Sequence, residues 1–146
     1  MRIASFCLFL VGAAIFVGSL FLPWEGLQRV FRDGRREEIT FIAFSAQEEA
    51  QASAVLGIGV ILLSLATSWM QKGILAIGVI EILLLIGLAI LIYVHAKDAL
   101  SYHVNAPNYI ASGIRVFGPH VGLGACGILL VSRIARILGR NKEPAN

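Results

Sequence analysis

Glu81 is the only charged residue in the apolar run Ile74–Val94. A carboxylate is costly in such a segment, so by default it points to a function and to a partner that can be named. Counted at 1.5 Å per helical residue, it lies roughly 10 Å inside the near end of the run. Gly78 shares its helical face and would let a neighbouring helix approach closely. Arg133, at similar depth in the last apolar run, is the expected partner. Ser64 and Thr67 in the second run are the expected hydroxyl neighbours. Three roles fit the carboxylate: a buried pair that fixes helix register, a contact with another membrane protein, or a carrier of protons or a small substrate. The structural pair is the expected one.

The histidines suggest a second chemistry. His95 closes the third apolar run and His120 opens the fourth, so the two should lie at matching depth. Facing histidines are what a bis-His haem requires, and His103 or Asp98 beside them would suit a transition metal. No recognised ligand spacing orders them, so neither a metal nor a cofactor is expected. His95, His120 and His103 are the residues one would use. Arg133, Arg136 and Arg140 recur along one helical face, as a stripe that anchors on anionic lipid headgroups does. Small residues spaced by four mark close helix packing: Gly118, Gly122 and Cys126, then Ser53 and Gly57, then Ala14 and Gly18. Cys7 and Cys126 form no Cys-x-x-Cys pair and are expected to be small apolar core residues. The sequence holds no Gly-x-Ser-x-Gly, paired-carboxylate set, phosphate-binding glycine loop or His-Glu-x-x-His, so it gives no ground for proposing an enzyme.

These residues are held in a chain of 146 residues that is 58% hydrophobic and 14% charged. A domain that small cannot bury so much apolar surface inside itself. Lipid must cover the rest. The net charge of +3 is not gathered into a basic stripe with interleaved aromatics, so nucleic acid is not an expected partner. Four runs approach the length of about 20 residues that a bilayer requires: 3–22, 52–70, 74–94 and 119–138. The first is not expected to be a cleaved signal, because Phe21-Leu22-Pro23-Trp24 stands where a small-x-small site would be.

The connections are unequal. Gln71-Lys72-Gly73 reads as a tight turn, whereas 23–51 and 95–118 are long loops on the opposite side. Six basic residues fall on each side, so the count alone does not orient the chain. Arg2, Lys72 and the 133–142 cluster abut the membrane while Arg29–Arg36 sit mid-loop, which places both termini in the cytoplasm. In the first loop Pro23 ends the helix and Trp24 suits the membrane interface. Asp33-Gly34 is a turn signal before the β-branched and aromatic stretch 38–45, so a small hairpin is possible there. The second loop, with Tyr102, Pro107 and Tyr109, is expected to be ordered against the membrane or the first loop.

The layout resembles small bacterial four-span membrane proteins. In these a first helix ends in a Leu-Pro-Trp-like break, here Leu22-Pro23-Trp24, and the last opens with spaced glycines, here Gly118, Gly122 and Gly124. Two long outer loops and a tight inner turn also resemble the claudin plan, without its Trp and paired-cysteine loop signature. The likeness implies an inner-membrane location and carries no catalytic residue across. The expected fold is an all-α antiparallel four-helix transmembrane bundle, one domain over 1–146, with a small outer cap. The expected role is non-catalytic: an accessory or scaffolding subunit that packs against a larger membrane complex or a second copy. A small transporter using Glu81, or a haem or metal protein using His95 and His120, are the alternatives.

Overall fold

The computed structural model describes residues 2–68 and 74–140. Helix α1 (Arg2–Ser19) leads into strands β1 (Pro23–Phe31) and β2 (Arg36–Ile42), then helices α2 (Glu48–Ser68) and α3 (Ile74–Ser101). Strands β3 (His103–Asn105) and β4 (Tyr109–Gly113) follow, and helix α4 (Gly118–Arg140) ends the described chain. The expected turn at Gln71-Lys72-Gly73 lies outside the described residues.

Helix α4 packs between α1 and α3, and α2 packs on α3 while touching α1 and α4. Thr67 near the end of α2 meets Glu81 near the start of α3, so those helices run antiparallel. Gly12 and Gly122 face Leu129 and Ser19 respectively, which sets α1 antiparallel to α4. Phe16, Leu20, Trp24, Leu85, Leu88 and Ile92 fill the core. The outward residues of the helices are apolar too, among them Ile3, Val55, Leu62, Leu83, Ile90 and Val131. Helices α2, α3 and α4 are each long and apolar enough to cross a membrane, and the apolar part of α1, Ile3–Ser19, is shorter.

The helices extend differently from the apolar runs. Helix α1 ends at Ser19, where Leu20, Phe21 and Leu22 close a tight final turn onto the carbonyls of Val17, Gly18 and Ser19. Pro23, with no N–H to donate, then starts the first strand. Helix α2 begins at Glu48, before the apolar run, because Glu48 and Glu49 suit the positive end of a helix. Helix α3 continues past Val94 to Ser101.

The cap is larger than a hairpin, so the expected all-α class gives way to a helical bundle with a sheet. Strands β1 and β2 do form the expected hairpin, and Gly34 takes a φ of 84° in its turn. Strand β4 then pairs antiparallel with β1, and β3 with β4, giving the order β2-β1-β4-β3. The second loop is therefore ordered against the first. Ala43 N–H donates to the Leu20 carbonyl just past α1, which ties the end of β2 back to the bundle, and Ile114 N–H donates to Gly26, which extends the β1–β4 pairing.

Candidate functional site

Three helices bring four of the sequence-predicted residues together at the end of the bundle opposite the sheet. Glu81 on α3 is fully buried and forms an ion pair with Arg133 on α4, which is 6% exposed. The Thr67 hydroxyl, from α2, donates to Glu81 Oε1 at 2.7 Å and accepts from Arg133 Nη2 at 3.1 Å. Ser64 takes part through its carbonyl, which lies 3.5 Å from Arg133 Nη2. One carboxylate, one guanidinium and one hydroxyl thus cross-link α2, α3 and α4. Each charge meets its counter-charge within the chain, as a group this deep requires. The space beside this clasp, lined by Phe9, Val60, Leu85 and Leu129, is too small for a water molecule.

The pairing corrects one expectation. Arg133 is not a headgroup anchor, because its charged end is turned inward to Glu81. Arg136 is half-buried, and the Arg140 side chain lies outside the described residues.

Several of the small residues serve contacts inside the chain, whereas Ala14 and Gly18, expected to pack closely, are exposed and a Cβ on Gly18 would meet nothing within 4 Å. A Cβ on Gly57 would stand 2.1 Å from Phe16 Cζ, so the bare backbone of α2 is the seat of that α1 ring. Gly118 does the same for Trp24, 2.3 Å from the ring. Gly78 faces Ile137 of α4, and Gly122 lies against Ser19 and Trp24. Cys126 is buried as expected, whereas Cys7 is exposed on α1 rather than in the core.

Trp24 is fully buried within the protein, so its ring packs against the chain itself and not against lipid headgroups. Its indole N–H donates to the Ser19 carbonyl at 2.7 Å, which removes the cost of burying that donor. Beside it lies a contact between His95 and Glu25. His95 is 2% exposed, its ring centroid 6.1 Å from that of Trp24, and its Nε2 is 3.9 Å from Glu25 Oε1. The same carboxylate oxygen accepts the Gln47 N–H at 3.1 Å, just before α2. No periodicity links residues 25, 47 and 95; only the folded sheet does.

His120 is exposed with Nδ1 3.0 Å from the Val116 carbonyl, and His103 is exposed on β3. Among the described residues no group of three His, Cys, Asp or Glu side chains could hold a metal ion. Fold and site together define a mostly helical protein, with three helices long and apolar enough to cross a membrane, a four-stranded sheet at one end and an ionic clasp at the other. No family model, curated protein or solved structure matches the chain.

Proposed function

We propose that the chain is a non-catalytic integral membrane protein, an accessory or scaffolding subunit that packs against a larger membrane complex or a second copy of itself. In this reading all four helices cross the bilayer, both termini are cytoplasmic, and the sheet stands outside, in a membrane of the bacterial inner-membrane type. At 1.5 Å per residue α1 reaches about 27 Å, close to the hydrocarbon thickness. Its exposed side chains, Phe6, Leu8, Leu10, Val11, Ile15 and Val17, are of the kind lipid accepts.

The observation that carries the non-catalytic reading is the closure of the clasp. A carboxylate that moves protons or a cation needs an open path and an uncommitted oxygen. Glu81 instead is fully buried, with its carboxylate committed to Arg133 and Thr67. It holds three helices in register and leaves the outer sheet and the lipid-facing helix surfaces for contacts with other proteins. The proposed partners are the lipid bilayer and other membrane protein subunits or a second copy.

Crosslinking in intact cells followed by purification in mild detergent tests this reading. A stoichiometric second subunit or a dimer of this chain is expected, and assembly should survive Glu81→Gln. A monomer without crosslinked partners would contradict the proposal, as would pH-driven uptake of a solute lost in Glu81→Gln.

A further inference from the structure

We propose that Glu25 and His95 form a proton-operated latch that fastens the sheet to the helices when His95 is protonated. His95 belongs to α3, Glu25 to β1, and Glu25 also holds the Gln47 N–H at the threshold of α2. One carboxylate therefore joins three elements that are otherwise remote in the chain.

The contact stands open as the structure has it. At 3.9 Å the His95 Nε2 to Glu25 Oε1 separation is within ion-pair reach and beyond hydrogen-bond length. The buried Nε2 has no hydrogen-bond partner. A neutral imidazole carries one N–H for its two nitrogens, so the ring forms an ion pair with Glu25 only with a second proton. Protonation supplies it. One proton from the outer solution binds the ring, and the imidazolium N–H donates to a carboxylate that needs to approach by only about 1 Å to make a charge-assisted bond. Glu25 is 13% exposed, so the pair lies at the edge of solvent with a route for that proton.

The surroundings leave the switch to this pair. Helix α1 carries no charged residue from Ile3 to Ser19. Near the start of α4, Arg115 and His120 are exposed, and His120 Nδ1 lies against the Val116 carbonyl. Lys97 and Asp98 on α3, and Glu48 and Glu49 on α2, are exposed as well. Glu25 is the acid within ion-pair distance of His95. The ring also lies beside Trp24, whose indole is seated on Gly118, so closing the latch presses on the joint between β1 and α4.

The test uses the full chain in phospholipid nanodiscs, with ring-labelled histidine and amide exchange read at Gln47. On acidification from about pH 8 to about pH 5.5 the labelled His95 ring signals should report gain of the second ring proton. Corrected for intrinsic exchange, Gln47 opening should slow by about fivefold over the same interval. His95→Gln should abolish that slowing and His120→Gln should leave it intact, with Glu25→Gln behaving as His95→Gln does. Where a variant fails to fold, the wild-type ring titration and the Gln47 exchange decide alone. A ring that never titrates in that window overturns the latch. So does a ring that titrates without any change at Gln47, or the same slowing in folded His95→Gln.

Discussion

Glu81→Leu should destabilise the bundle more than the double change Glu81→Leu with Arg133→Leu. The single change leaves a buried guanidinium whose N–H groups have the Thr67 hydroxyl and the Ser64 carbonyl as acceptors. Removing one partner of a buried pair typically costs about 3–5 kcal/mol, and these two acceptors place Glu81→Leu near the lower end, about 3 kcal/mol. Arg133→Leu leaves Glu81 its bond from Thr67, and a buried carboxylate can take up a proton, so that cost is smaller, about 2 kcal/mol. The double leucine chain removes both charges and adds apolar surface among Phe9, Leu85 and Leu129, so it should fall within about 1 kcal/mol of wild type. The measurement is reversible unfolding in mixed detergent and lipid micelles, followed by far-ultraviolet circular dichroism, for the four members of the cycle. Single costs that simply add in the double mutant would refute the reasoning, since independent sites add and a clasp does not.

Gly57→Ala should destabilise by about 1–3 kcal/mol, because its new Cβ has to displace Phe16. Gly59→Ala, with nothing within 4 Å, should be neutral or slightly stabilising in the same unfolding measurement. The hairpin turn should depend on pH in one direction. Backbone and side-chain hydrogen bonds from Arg35 hold the Asp33 carboxyl below its ordinary value, so the folded state binds that proton less readily than the unfolded chain. Its contribution is present above the ordinary carboxylate value and lost as pH falls through the folded one. Exchange at the Arg35 amide should quicken on acidification, and Asp33→Asn should flatten that response.

Much of the bundle was legible because apolar length is a crude and strong signal. Glu81 could be paired with Arg133 and Thr67 because depth along an apolar helix can be counted from its ends, and a buried charge restricts its possible partners. The sheet was half legible. Asp33-Gly34 announces the β1–β2 hairpin by its turn chemistry. The second pair of strands is only three and five residues long, so the turn at Pro107-Asn108 has little strand on either side to support it. Helix ends followed local electrostatics more than hydropathy, as Glu48 and Glu49 show. The burial of Trp24 was not legible because its seat, Gly118, is remote in the chain. His95 stood out as a residue, but its contact with Glu25 was not legible, since it exists only after β1 has closed onto α3.

The most direct test of the membrane arrangement is single-cysteine labelling in intact cells with an impermeant thiol reagent, in a chain carrying Cys7→Ser and Cys126→Ser. Ser45→Cys, between β2 and α2, and Ser101→Cys, at the end of α3, are both exposed and should react from outside. Asn146→Cys should react only once the membrane is opened. Labelling of Asn146→Cys from outside, with Ser45→Cys and Ser101→Cys protected, would contradict the proposed orientation. Reaction of Ser45→Cys and Ser101→Cys from opposite sides would contradict the four-span bundle itself.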